Sequence, residues 1–129
     1  MPSLRLTEAN AAAGGTSHLF EPALPAPALD GVFGACHGLD APLAFGSLDS
    51  PTARHFLGDP PPAEAVRVSA ELRHAWVEFA TTGAPGWPAY DPEGQLTRVL
   101  DARSRTVRYP ERASPRLWAG HPLTAYDLH

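Results

Sequence analysis

The sequence contains no lysine and no isoleucine in 129 residues. All 10 basic residues are therefore arginines, and the aliphatic core has to come from leucine, valine and alanine. Because isoleucine is among the strongest strand-forming residues, strands are expected to be few and weak. The net charge of −4 leaves no evident basic face, which argues against nucleic acid as a partner.

Cysteine is also scarce, and a single residue, Cys36, excludes an internal disulfide. Nothing in the cysteine content therefore points to an oxidising compartment. Residues 1–15 include Arg5 and Glu8 and lack a continuous apolar run, so they do not resemble a signal peptide. No stretch approaches the ~20 apolar residues that a membrane span needs. As the sequence stands, we expect a cytoplasmic protein with no membrane partner.

Proline and glycine, by contrast, are abundant, with 15 and 11 residues. Helix-favouring residues predict a helix over residues 4–13, followed by a short strand over 16–20. Three prolines between positions 22 and 27 forbid a central strand or a helix interior there. The next segment, residues 31–46, is rich in glycine and is predicted to be a loop.

The most regular element follows the triple proline at residues 60–62. Residues of one apolar stripe recur there at spacings of four, three, four and three: Ala65, Ser69, Leu72, Trp76 and Phe79. This spacing predicts an amphipathic helix that ends at Gly83, with Trp76 and Phe79 in the core.

The remainder of the chain contains only weak signals. Residues 96–100 and 106–109 predict two short strands joined as a hairpin, and the tail from Pro110 is predicted to be irregular. A self-sufficient α/β domain of this length would show several strong strands alternating with helices. The chain is therefore predicted to be a piece of a larger fold.

Histidines are the first candidates for chemistry, and there are 6 of them: His18, His37, His55, His74, His121 and His129. Their spacing does not suit a metal site, and Cys36 and His37 are adjacent, so they cannot easily chelate one ion together. His37 differs from the others because small residues flank it, and because Leu39, Leu43 and Phe45 are expected to anchor the residues that follow it. Two interpretations remain open from the residues alone: a loop histidine held by a neighbour, or a general base mounted on a turn.

Residues 34–46, GACHGLDAPLAFG, resemble the histidine loop of the type-B carboxylesterase and lipase family, which includes cholinesterases and bacterial para-nitrobenzyl esterases. That loop has the pattern Gly-Ala-x-His-x-x-(Glu/Asp), followed by an apolar run ending in Phe-Gly. Residues 72–83 resemble the family's helix, which carries Trp-x-x-Phe-Ala shortly before a glycine. Residues 87–90 resemble its Trp-Pro-x-Tyr loop. The motifs stand in the family's order, and the likeness extends over roughly residues 4–110.

This resemblance implies a fold and a site. The fold is of the α/β class, a partial α/β-hydrolase fold in which residues 1–129 form a C-terminal segment rather than a complete independent domain. Its expected parts are a late sheet strand, the histidine loop, a long amphipathic helix and a terminal hairpin. His37 is implied to be the catalytic histidine that takes the serine proton, without any metal or organic cofactor. Asp40 is implied to brace the loop rather than to serve as the triad acid, and Cys36 is interpreted as a buried small residue.

The other triad members are not expected within these residues. In this fold the order is serine, then acid, then histidine, so both partners are expected before Met1, and the sequence has no Gly-x-Ser-x-Gly. The chain is thus expected to be a fragment of a carboxylesterase that acts on a small-molecule ester, and to be inactive alone. Its expected partner is the missing N-terminal portion, as a separate chain. The alternative is a non-catalytic interaction module, or a degenerate remnant that associates with another chain.

Overall fold

The computed structural model describes residues 2–111 and 113–118. Helices and strands alternate irregularly along these residues. In chain order they are α1 (Pro2–Ala12), β1 (Leu19–Pro22), α2 (Asp40–Phe45), α3 (Pro51–Leu57), α4 (Ala63–Thr82), β2 (Leu96–Leu100), β3 (Arg105–Arg108) and α5 (Ala113–Trp118). The predicted first helix, long helix and hairpin are confirmed.

The described strands form one sheet in the order β1-β2-β3. β1 is parallel to β2, with Leu19 opposite Thr97, and β2 is antiparallel to β3. The first strand lies later than the predicted residues 16–20. The reason is that Ser17 precedes the β1–β2 ladder, and its carbonyl instead accepts a hydrogen bond from the Tyr90 N–H at 2.8 Å.

Helices cover both faces of this sheet. Successive strand side chains point to opposite faces. Leu19 packs in a small cluster with Leu4 of α1 and Tyr90. Pro22 faces the opposite side of the sheet from Leu19. Its partner in β2, Leu100, belongs to the main core with Leu72 of α4. The sheet therefore lies between α1 on one side and α4 on the other, as in an α/β architecture.

The long helix buries Ala65, Ser69 and Leu72 of the predicted stripe but not its last two residues. α4 ends at Gly83, whose φ of 80° closes the helix in the left-handed conformation. Its buried residues are Ala65, Val68, Ser69, Leu72 and Ala75. Trp76 and Phe79 were expected in the core, but they are 50% and 51% exposed. The correction has a physical cause: α2 and β2 cover the first half of the helix, and the second half extends past them.

The segment predicted to be a loop contains a helix, α2, which follows the glycine-rich residues directly. Its first turn accepts a proline because the early helical N–H groups have no partner within the helix. α3 begins at a conventional cap: the Ser50 hydroxyl accepts a hydrogen bond from the Ala53 N–H at 3.2 Å, with Pro51 at the first position. The tail prediction is corrected by α5, and residues 119–129 lie outside the described part of the chain.

Ser69 joins α4 to α2, because its buried hydroxyl donates to the Leu43 carbonyl oxygen at 2.7 Å. Replacing Ser69 with alanine leaves that carbonyl without its partner, and we expect a loss of about 1–3 kcal/mol in the free energy of unfolding. Thr81→Ala is a matched control, since Thr81 makes an exposed bond of 2.7 Å to the Val77 carbonyl within the same helix. The control should change stability by less than about 0.5 kcal/mol. Urea denaturation distinguishes the two, and equal losses would contradict the role of Ser69.

Candidate active site

His37 occupies a tight turn between the proline-rich segment and α2. The turn is closed by the Leu39 N–H, which donates to the Cys36 carbonyl oxygen at 3.4 Å. Gly38, the third residue of the turn, has a φ of 87°, the conformation that type II turns require there. A Cβ at Gly38 would meet open space, so backbone conformation rather than crowding selects glycine. The turn therefore directs the exposed His37 side chain outward.

A compact loop leads into this turn. The Ala26 N–H donates to the Gly34 carbonyl oxygen at 2.8 Å, which closes the loop at its base. Within it, Leu29 and Asp30 adopt left-handed conformations with φ of 52° and 57°. Non-glycine residues in this region are strained and persist only where the surrounding structure enforces them. Phe33 anchors the loop on α3 through an edge contact with Phe56, with ring centroids 6.0 Å apart.

The downstream side of the turn is held by the main core. Leu39 and Leu43 are buried with Leu72 of α4. α2 ends at Gly46, whose φ is 69°. A Cβ at Gly46 would lie 2.9 Å from the nearer guanidinium nitrogen of Arg73, so the helix end and α4 approach closely. This packing gives the His37 turn a rigid base.

The neighbours of His37 in sequence have different environments. Cys36 is half-buried and packs against the main core, which agrees in part with its interpretation as a buried small residue. Asp40 is exposed in the first turn of α2. Neither the Asp40 carboxylate nor the His37 ring forms a hydrogen bond or ion pair with the residues described. Apolar packing of Leu39 and Leu43, rather than Asp40, braces the turn.

An acidic cluster lies at the end of β1. Burial raises the pKa of the Glu21 carboxyl, and the negative charge of Glu111 raises it further. Burial likewise raises the pKa of the Tyr109 hydroxyl, with added contributions from Glu21 and Glu111. The ionised form of Glu21 is therefore disfavoured in the folded chain.

The described histidines are dispersed over separate elements. The His18 ring contacts the Trp87 carbonyl, His55 packs against Phe33 and Phe56, and His74 is exposed on α4. His121 and His129 lie outside the described residues. Over residues 2–111 and 113–118, no three His, Cys, Asp or Glu side chains lie close enough to hold a metal ion. Across the same residues, no helix is both long and apolar enough to cross a membrane.

Sequence patterns did not reveal the supporting role of Ser69. It stands in the apolar stripe of α4, and a hydroxyl in such a stripe suggests a buried polar partner. The identity of that partner, the Leu43 carbonyl of α2, depends on the packing of the two helices. The residue acts on the candidate site only indirectly, because it fixes the helix that follows the His37 turn.

Comparison with known proteins finds similarity to hydrolases and esterases, both in sequence and in structure. The chain is 34% identical over 100 residues to the phenmedipham hydrolase of Pseudarthrobacter oxydans, covering 70% of this chain and 20% of that protein. It is 34% identical over 84 residues to the para-nitrobenzyl esterase of Bacillus subtilis, covering 60% and 16%. Its structure is similar to that of carboxylesterase EST55 from Geobacillus stearothermophilus, with a TM-score of 0.72 and 30% identity over 89% of this chain and 24% of that one. No protein-family model matches the chain.

The fold is accordingly part of an α/β-hydrolase fold, which confirms the predicted class. Within that class the chain is type-B carboxylesterase-like, as its resemblance to the family implied. It spans 20% and 16% of the two curated relatives. By name, these two relatives are a hydrolase and an esterase.

Proposed function

We propose that His37 is the general base of a Ser-His-acid triad that hydrolyses carboxylic esters. The observation that carries the proposal is the exposed imidazole on a tight turn with a buried base, in a chain with carboxylesterase structure. A general base has to reach both its nucleophile and its orienting acid, and it has to hold its position while doing so. The closed turn and the packed α2 hold the imidazole in position, and its exposure leaves it accessible to a nucleophile and an acid.

The proposed chemistry follows from the imidazole. One ring nitrogen accepts the serine proton as the hydroxyl attacks the ester carbonyl, and it returns that proton to the departing alkoxide. The same nitrogen then activates water to release the acid from the acyl-enzyme. An acidic side chain on the other ring nitrogen holds the tautomer. We propose that the serine, the acid and the oxyanion hole belong to the complementary portion of the hydrolase, and that the substrate is a small-molecule ester.

In this proposal residues 1–129 are the C-terminal segment of an α/β-hydrolase domain and are inactive by themselves. The length supports it, because the chain corresponds to 24% of the EST55 chain. No metal or organic cofactor takes part, since the imidazole, the serine and the acid account for every proton transfer.

The experiment compares two proteins in an assay with para-nitrophenyl acetate. One is the chain alone, and the other is a chimera in which this chain replaces the matching segment of the Bacillus subtilis para-nitrobenzyl esterase. We expect the isolated chain to turn over no faster than free imidazole at equal concentration, and the chimera to show enzymatic turnover. Turnover by the isolated chain that is lost in His37→Ala would overturn the inactive-segment proposal, and a folded but inactive chimera would overturn the role of His37.

A non-catalytic interaction module is the second candidate. The exposed aromatic rings of Trp76 and Phe79 favour it, because soluble proteins rarely leave large apolar patches uncovered without a partner. The interaction module would be supported over the esterase segment if the chimera folded without turnover and the isolated chain bound other polypeptides.

A further inference from the structure

Three aromatic rings meet where the loop that precedes the His37 turn packs on α3. Phe33 of the loop lies 6.0 Å from Phe56 and 6.1 Å from His55, measured between ring centroids. The two α3 rings lie 5.2 Å from each other. Each ring therefore contacts the other two at a separation that is favourable for aromatic pairs. We call these three residues the ring clamp.

The clamp connects an exposed loop to a fixed part of the chain. On the α3 side, Phe56 also packs against the main core. On the loop side, the apolar side chains at the tip have little cover, since Leu29 is 67% exposed and Val32 74%. Phe33 is therefore the large side chain through which the tip of the loop is attached to another element.

The loop depends on this attachment because its backbone is strained. Leu29 has a φ of 52°, in the left-handed region that residues with a Cβ rarely adopt. Asp30 follows with a φ of 57°, a conformation that aspartate tolerates more readily. Such conformations persist only where surrounding structure enforces them. Without a contact from outside, the loop would relax toward negative φ, and the residues that follow it would shift.

A shift of this loop reaches the candidate base at short range. Gly34, whose carbonyl oxygen accepts the Ala26 N–H at 2.8 Å, lies three residues before His37. On the other side of the turn, Leu39 is buried in the main core. The imidazole is thus held between a packed downstream anchor and an upstream loop whose position depends on the clamp.

We infer that Phe33, His55 and Phe56 are positioning residues for the His37 imidazole. The clamp holds the strained loop against α3, and the loop sets the direction in which the chain enters the turn. The inference rests on the proposed function, because a general base has to be held where it reaches its partners. His55 acts through its ring and transfers no proton in this role.

Amide hydrogen exchange in the chain of 129 residues tests the clamp without any activity. In Phe33→Ala, exchange of the Ala26 N–H should accelerate by about 2- to 10-fold, the factor that corresponds to the loss of an aromatic pair. Phe33→Tyr keeps the ring and should exchange at the unaltered rate. The Tyr90 N–H, bonded to the Ser17 carbonyl at 2.8 Å outside the loop, is the internal reference. An unchanged Ala26 rate in Phe33→Ala overturns the clamp.

Kinetics of the chimera test the positioning role. Phe33→Ala should lower kcat for para-nitrophenyl acetate by about 10- to 100-fold, because a displacement of ~1 Å can cost about 100-fold. KM should stay within about twofold, since the substrate pocket is intact. Phe33→Tyr and His55→Phe keep the rings and should retain kcat within about threefold. Thr52→Ala, exposed on the same helix and outside the clamp, is the matched control and should leave kcat unchanged.

A double substitution shows whether the rings act together. His55→Ala alone should lower kcat by about 3- to 10-fold, but should cost little more in the Phe33→Ala background, because the clamp is already open. Losses that multiply overturn the clamp as a unit. A rise in KM with kcat preserved overturns positioning and assigns Phe33 to substrate contact.

Failure of the proposed function gives a different pattern. An active chimera that keeps its turnover in His37→Ala removes the general base and, with it, the positioning role of the clamp. The exchange rates of the Ala26 N–H would still show whether the three rings hold the loop. An active chimera that needs His37 but is indifferent to Phe33→Ala leaves the proposed function standing and overturns the inference.

Discussion

Replacing His37 with alanine in the chimera is expected to reduce kcat for para-nitrophenyl acetate by about 10⁴- to 10⁶-fold, with a small change in KM. The loss is large because the members of a triad act as a unit, so removing the base leaves the nucleophile inactive. Binding survives because the oxyanion hole and the substrate pocket remain. Steady-state kinetics measure both quantities directly.

The matched control is His74→Ala. His74 is also exposed, but it lies on the polar side of α4, and its loss should leave kcat within about twofold, as surface substitutions away from a site usually do. If His37→Ala retains a tenth or more of the activity, or if both substitutions reduce kcat equally, His37 is not the general base.

Leu43→Ala is expected to have the largest effect on stability, lowering the free energy of unfolding by about 2–5 kcal/mol. Leu43 is only 1% exposed and lies between α2 and α4, so truncation removes apolar contacts and leaves a cavity. Because α2 follows the His37 turn directly, the same substitution should also displace the imidazole. A displacement of 1 Å can cost about 100-fold in rate, so kcat of the chimera should fall as well.

Leu6→Ala provides the comparison for Leu43, since Leu6 is 73% exposed on α1. It should change the free energy of unfolding by less than about 0.5 kcal/mol. Urea denaturation followed by tryptophan fluorescence measures both variants. A Leu43→Ala loss below 1 kcal/mol would contradict the view that α2 is anchored through this side chain.

The sequence predicted those elements whose formation depends on neighbouring residues. α4 has a regular apolar period, a proline start and a glycine stop. The hairpin has two short runs that contain valine and threonine, which favour strands, around a polar turn. α2 was missed because glycines on either side suggest a loop, and a helix of six residues is too short to show a period. It forms because its Leu43 is buried against α4, which lies more than twenty residues further along the chain.

The candidate site shows the same division. The sequence alone predicts His37 as the candidate base, because a motif and the order of three motifs depend only on residue identity and spacing. The predicted support for its turn is confirmed in part: Leu39 and Leu43 are buried in the main core, but Phe45 is 78% exposed. Asp40 was expected to brace the loop and is instead exposed at the start of α2. Ser69 likewise gained its role only when α2 packed against α4.

The sequence by itself determined the long helix, the hairpin, the position of the histidine turn and the resemblance to type-B carboxylesterases, because each is encoded in neighbouring residues. Only the tertiary structure decided that Trp76 and Phe79 stay half exposed while Val68 and Ala75 are buried, and that β1 has one unpaired edge among the described strands. Burial depends on which surfaces meet in space. An apolar stripe predicts a surface that tends to be buried, and only the folded structure shows whether another part of the chain covers it.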